Sequence, residues 1–266
     1  MTRPDTIFGQ RPAARVSRPD RVPPRNSALL APWLALAMIA VGSGGFAQAP
    51  TVQPVEAGTS RQFRYLMGTS VQVQVSGADA ATRSEAIEGA YAAIAEIDRL
   101  MSNYRNDSEL SAINRGAAIA PVRVSDPMLS VLEAAQVVSA RSGGAFDVTV
   151  GPLVKLWGFF DKKPHIPTPA EFGAMRNLVG YKMLIIDPAA RSVRFDRPGM
   201  EIDLGGIAKG FAVELAAGVI RRRGLSGLID AGGNQYLLGV PPGKGYWTVG
   251  VRDPLTQDAL LGTLDV

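Results

Sequence analysis

The residues from Glu201 to Phe211, EIDLGGIAKGF, combine a carboxylate, two adjacent glycines and a lysine at a spacing that suits phosphate chemistry. Ile202 and Leu204 flank Asp203 at the end of a predicted strand, Gly205 and Gly206 form a sharp turn, and a helix begins from Ile207. Asp203, uncovered backbone N–H groups and Lys209 then meet at a helix N-terminus. The positive end of the helix dipole and its N–H groups favour an anion, and the lysine adds a mobile cation, so a pyrophosphate fits this pattern. The spacing is neither the G-x-x-x-x-G-K-[ST] of a P-loop nor the G-x-G-x-x-G of a dinucleotide-binding turn. A plain strand–turn–helix connection with a solvated lysine satisfies the same residues.

Three further segments hold candidate groups. In Ser142 to Phe160, SGGAFDVTVGPLVKLWGFF, Gly143 and Gly144 permit close backbone approach, and Asp147 and Thr149 alternate with Phe146 and Val148. Trp157 and Phe159 offer flat faces, for which burial in a core is the commoner use. Asp147, a carboxylate among glycine, alanine and phenylalanine, requires a partner or solvent. In Met101 to Asn114, MSNYRNDSELSAIN, Tyr104 supplies a ring with a hydroxyl, and Ser108-Glu109 is an ordinary helix start. Ile229 to Leu237, IDAGGNQYL, reads as a strand with a glycine turn, compatible with a hairpin or with backbone crossing a ligand.

The elements that must position these groups follow from periodicity. Thr69 to Val75 alternates Val71, Val73 and Val75 against polar residues, as a half-buried strand does. A helix runs to about Met101, with Thr82 and Glu85 as its capping box and Ile87, Tyr91, Ile94 and Ile97 on one face. Ser125 and Pro127 open a second helix, with Leu129, Leu132 and Val137 inward and Gly143-Gly144 as its stop; a polar loop, Ser102 to Asn114, lies between the two. Lys182 to Asp187 and Ser192 to Phe195 form a hairpin around Pro188, and a third helix spans Ile207 to Arg223. Leu228 to Ala231, Gln235 to Val240, Tyr246 to Val251 and Leu260 to Val266 are short strands. This order predicts an α+β fold, with helices packed on a mixed or antiparallel sheet.

The 266 residues, 46% of them hydrophobic, suffice for a sizeable core. The formal charge of +4 arises entirely in residues 1–49, where six arginines face two aspartates, leaving 22 basic and 22 acidic side chains beyond. Nucleic-acid binding thus has no electrostatic support. Residues 1–49 read as a secretory signal: an arginine- and proline-rich start, an apolar run from Ala28 to Val41, and Ala47-Gln48-Ala49 as the cleavage pattern. The expectation is an exported protein, periplasmic or held at the membrane by an uncleaved leader, with residues 50–60 as a linker. No adjacent arginine pair precedes the apolar run to suggest a twin-arginine route. Without cysteine there is no thiolate nucleophile, disulfide or cysteine metal site, and the single histidine, His165, sits in a proline-rich loop.

Taken together and in order, Leu66-Met67-Gly68-Thr69, MSNYRNDSELSAIN, SGGAFDVTVGPLVKLWGF, EIDLGGIAKGFAVE, IDAGGNQY and WTVGVRDP resemble the ApbE family of FAD:protein FMN transferases, over about residues 61–266. The resemblance implies an α+β, usually exported protein that binds FAD with magnesium. It also implies transfer of the FMN half to a threonine or serine of an acceptor carrying a D-x-x-[ST]-G-A-[ST] type motif, with release of AMP. By the same resemblance Met67, Tyr104, Ala145, Phe146, Asp147, Asp203 and Lys209 fall on FAD-contacting positions, and Gly206 on the position that gives magnesium a backbone carbonyl. No catalytic residue is assigned. Family members continue into a segment H-x-x-D-P-x-T-G and a later Asp/Thr segment that completes the metal site. Neither is present here, so the expected domain is incomplete at its C-terminal side. FAD hydrolysis and flavin binding without catalysis are the competing readings.

Overall fold

The computed structural model describes residues 57–160, 163–256 and 259–266, together with a two-residue strand, β1 (Val16–Ser17). The remainder of the expected secretory signal and most of the expected linker lie outside the described residues. The chain divides into two compact units, one of residues 57–242 and one containing residues 243–266 and β1.

The first unit begins with β2 (Thr59–Leu66) and β3 (Thr69–Ser76), an antiparallel hairpin that starts two residues earlier than the predicted domain. The alternation of β3 is realised as expected, with Val71, Val73 and Val75 fully buried. The long helix α1 (Ala80–Met101) buries Ile87, Tyr91, Ile94 and Ile97. Its cap is Asp79 rather than the predicted Thr82: Asp79 Oδ1 accepts from Thr82 N at 2.9 Å, and Thr82 Oγ1 donates to Asp79 Oδ2. The Thr82 backbone N–H holds the Asp79 carboxyl below its ordinary range. Tyr91 donates its hydroxyl to the carbonyls of Gln62 and Val71, and burial pushes this phenol up to about 12.

The predicted polar loop is shorter than expected, because α2 (Glu109–Gly116) starts at the Ser108 cap. After β4 (Val122–Arg123), α3 (Asp126–Arg141) opens on Ser125 with Pro127 in its first turn. Met128, Val131, Leu132 and Ala135 form its buried face, and Val137, predicted inward, is exposed. The short helices α4 (Gly151–Leu156) and α5 (Pro169–Arg176) precede a hairpin of β5 (Leu184–Asp187) and β6 (Ser192–Phe195), as predicted around Pro188. α6 (Ala208–Arg221) packs against α1, and β7 (Ser226–Ala231) and β8 (Asn234–Leu238) form a further hairpin.

Two sheets result in this unit, β2-β3-β7-β8 and β4-β6-β5. Every strand pair among the described residues is antiparallel, which narrows the expected mixed or antiparallel sheet. The apolar face of the four-stranded sheet, with Ile229 and Ala231 beside the three valines, joins α1 and α6 in one core. Each fully buried isoleucine or leucine there contributes about 1.5–3 kcal/mol. In the second unit β9 (Thr248–Arg252) pairs with β10 (Leu260–Asp265) through a bulge between Leu260 and Gly262, and β1 pairs with β10. No helix among the described residues is long and apolar enough to cross a membrane.

Candidate functional site

Two tight hairpins mark one end of the four-stranded sheet. Between Leu66 and Thr69 the loop is Met67-Gly68, with φ of 51° and 72°; between Ala231 and Asn234 it is Gly232-Gly233, with φ of 60° and 92°. Two-residue loops with positive φ at both positions twist as the flanking strands do, which explains the glycines. Met67 holds this left-handed conformation without being glycine, a strained arrangement of the kind that clusters at functional sites. The tips are neighbours: Gly232 N donates to Ser70 O at 3.2 Å, and a Cβ on Gly232 would stand 2.4 Å from Thr69 Oγ1.

Beside the first tip lies a cavity of about 500 Å³. Met67 and Gly68 form one wall, the C-terminal turn of α1 with Asp98 and Met101 a second, and the loop Ser102, Asn103 and Tyr104 a third. Asp203, Gly205, Ala208 and Lys209 close it from the entrance to α6. Four of the positions singled out in the sequence, Met67, Tyr104, Asp203 and Lys209, thus come together around one space.

The segment bearing Asp203 is predicted as the end of a strand, but residues 201–204 form no strand and belong to no sheet. A side chain from α2 replaces the strand partner: Ile202 N donates to Asn114 Oδ1 at 2.8 Å, and Asn114 Nδ2 donates to Ile202 O at 3.0 Å. Asp203 N donates to Val148 O at 2.7 Å. The Asp203 carboxylate accepts from Gly205 N on Oδ1 at 2.7 Å and from Asn103 Nδ2 on Oδ2 at 2.8 Å. These neutral donors orient it without cancelling its charge.

The chain enters α6 through a turn at 205–207, and no side chain caps the helix at Ile207. Ala208 N donates to Leu204 O at 2.8 Å, while Lys209 N and Gly210 N have no side-chain acceptor among the described residues and can serve an anion. Lys209 is half-buried, lines the cavity and has no ion-pair partner among the described residues. Lys155, by contrast, is paired with Glu201.

Ala145, Phe146 and Asp147 stand beside this site without lining its cavity. Both oxygens of Asp147 are engaged by its own surroundings: Oδ1 accepts from Thr149 N and Oγ1, and Oδ2 from Tyr181 N, at 2.7–2.8 Å. Ala145 N and Phe146 N are taken by Ser142 O and Ser142 Oγ. Phe146 reaches the site through its ring, since a Cβ on Gly206 would lie 3.2 Å from Phe146 Cε2. Tyr104 is 76% exposed, and its ring is backed by Phe160 at a centroid distance of 5.5 Å and 45° between planes. Phe159 is exposed, Trp157 half-buried, and His165 solvated in its loop.

Sequence reasoning missed Asp98, Asn103 and Asn114. A signal existed for the first: a carboxylate in the last turn of a helix faces the negative end of the dipole, a position that favours cations. Asp98 keeps its side chain free of hydrogen-bond partners among the described residues. The two asparagines carry no such local signal, because their acceptors lie 100 and 88 residues away.

Comparison with known proteins bears on this arrangement. Residues 67–266 match the ApbE family. The FAD:protein FMN transferase of Salmonella typhimurium is 34% identical over 197 residues, covering 72% of this chain and 56% of that protein. The crystal structure of an ApbE protein from Thermotoga maritima superposes with a TM-score of 0.73 at 29% identity, over 78% of this chain and 67% of that one. The flavin transferase ApbE from Vibrio cholerae gives 0.68 at 31% identity, over 76% and 65%. The chain thus spans little more than half the length of the Salmonella protein. With a family match over three quarters of its length and TM-scores of 0.73 and 0.68 to those structures, the chain belongs to the ApbE family.

Proposed function

We propose that the cavity binds FAD and that the protein transfers the FMN half to a threonine or serine of an acceptor protein, releasing AMP. The observation that carries this reading is Lys209, a half-buried cation without a partner among the described residues, at an uncapped helix start in a family whose relatives are FAD:protein FMN transferases. A pyrophosphate supplies the charge that such a position lacks. The acceptor hydroxyl oxygen attacks the phosphorus of the FMN half, the bond to the AMP oxygen breaks, AMP leaves with that electron pair, and the hydroxyl proton is released. Such a step asks for charge neutralisation and in-line positioning more than covalent work by the protein.

Magnesium suits the donor set. The cavity presents the carboxylates of Asp98 and Asp203, Gly206 adjoins it in the turn, and the described residues hold no group of three or more histidine, cysteine or acidic side chains placed to hold a metal. A hard cation that keeps waters and shares phosphate oxygens needs only one or two protein carboxylates. The Gly206 carbonyl and these carboxylates would be the oxygens to hold it. When bound, magnesium would neutralise the pyrophosphate oxygens.

The acceptor is read as carrying a D-x-x-[ST]-G-A-[ST] type motif, and the protein as exported to the periplasm or held at the membrane by an uncleaved leader; the apolar run Ala28 to Val41 and the cleavage pattern Ala47-Gln48-Ala49 support export. Incubating the protein with FAD, magnesium and such an acceptor should place flavin fluorescence on the acceptor band and release AMP, and chelation should stop both. AMP without labelled acceptor would mean hydrolysis, and bound, intact FAD a binding protein. Mass spectrometry of cell-envelope material should find a mature start near Gln48 or Pro50.

A further inference from the structure

We infer that Asn103 is a positioning residue for the flavin site, fixing the orientation of the Asp203 carboxylate; this rests on the reading of the cavity as an FAD site. The backbone around Asp203 is held firmly, by Asn114 on both polar groups of Ile202 and by Val148 O on Asp203 N. The side chain has only two anchors. Gly205 N reaches Oδ1 from two residues away, and Asn103 Nδ2 reaches Oδ2 from the loop that also carries Tyr104. With one anchor the carboxylate plane turns about its own bonds; with two on different oxygens it is locked, and each oxygen keeps lone-pair capacity for a ligand.

The chemistry of residue 103 matters as much as its reach. An arginine or lysine here would orient the carboxylate but neutralise it, whereas a neutral amide donor orients it and leaves its charge to the cavity. Asn103 itself lines the cavity, as do Tyr104 and Asp203, so one loop sets the ring and the carboxylate relative to each other. The side chain of Ser108 anchors that loop by donating to Ser102 O at 2.7 Å, and Tyr104 N donates to Ser102 Oγ at 3.2 Å. The registration does not depend on Asn103 for the path of the backbone.

The test compares FAD affinity, from quenching of flavin fluorescence, with thermal stability in the full chain. Asn103→Leu, close in shape but without a donor, should weaken FAD about tenfold with little change in melting temperature. In an Asp203→Ala background it should have no further effect, since its action passes through Asp203. The exchange of the pair, Asn103→Asp with Asp203→Asn, keeps a hydrogen bond between the two positions but moves the charge, and should not restore affinity. Equal weakening by Asn103→Leu in both backgrounds, or recovery in the exchanged pair, would overturn the inference. The chemical shift of the Gly205 amide, which donates to Asp203 Oδ1, reads the same lock with no ligand present. It should move in Asn103→Leu, and an unmoved resonance would sink the inference even if the protein proved not to bind FAD.

Discussion

Asp147 and Asp203 stand in segments that read alike, each a carboxylate near glycines and apolar residues, and the two segments touch where Asp203 N donates to Val148 O. Their uses differ. Asp147 takes three donors, from Thr149 N, Thr149 Oγ1 and Tyr181 N, and joins the start of the first glycine segment to the approach to β5. Asp203 takes two, one on each oxygen, and lines the same cavity as Lys209, which has no ion-pair partner among the described residues. A carboxylate tied by three donors of its own fold acts as a latch. One held at two points beside open space remains available to a ligand. What the first segment gives the site is aromatic: Phe146 against Gly206, and Phe160 behind Tyr104.

The strongest test of this contrast measures stability and binding in the same two variants. Asp147→Ala leaves the buried Thr149 and the Tyr181 N–H without their acceptor, and should cost about 3 kcal/mol of stability. Asp203→Ala should cost about 1 kcal/mol or less by the same reckoning, because its donors are closer to solvent, yet it should remove most FAD affinity. Denaturant melts with flavin titrations separate the two. Equal stability losses would erase the distinction between latch and ligand group.

Lys209→Ala extends the comparison to charge. Loss of one charge-assisted contact to a phosphate should weaken FAD roughly tenfold and leave riboflavin, which has no phosphate, almost unchanged. Parallel weakening of both would move the lysine away from the pyrophosphate.

The sequence disclosed those parts of the fold whose pattern is local. The valine alternation of β3, the apolar stripe of α1 and the glycine turns of the hairpins each follow from a few neighbouring residues. The run at Asp203 has the same residue alternation as a strand, and nothing within it tells a sheet neighbour from the side chain of Asn114. Asp79 and Thr82 compete for one cap within four residues, a choice that turns on backbone angles rather than residue type. At the site, Tyr104, Asp203 and Lys209 were singled out by their own residue types and spacing, Met67 only through the family resemblance, and all four line one cavity. Asn103 was not, because an asparagine in a polar loop has many uses and its acceptor is a hundred positions away.

Gly206→Ala probes the junction of the two segments. The added methyl would stand 3.2 Å from Phe146 Cε2, so the ring must yield by a few tenths of an ångström. A cost of about 1 kcal/mol is expected, with FAD affinity falling severalfold as the turn shifts. Phe146→Leu in the same chain should relieve the crowding, and a melt of the double variant checks it: no recovery would place the strain in the turn itself.

The smallest effect concerns Phe160. Its contact with Tyr104 is tilted at 5.5 Å, a geometry worth about 0.5–1.5 kcal/mol in aromatic pairs, and the exposure of Tyr104 puts it at the lower end of that range. Phe160→Leu keeps an apolar neighbour but removes the ring, so Tyr104 gains freedom without losing its place in the loop. Riboflavin, which carries the flavin ring and its ribityl chain without phosphate or adenosine, should bind about twofold more weakly, AMP should bind as before, and Phe160→Trp should restore the riboflavin affinity. A twofold loss for AMP as well would mean that Phe160 supports the loop rather than the ring of Tyr104, and the aromatic contribution of the first segment would then reduce to Phe146 alone.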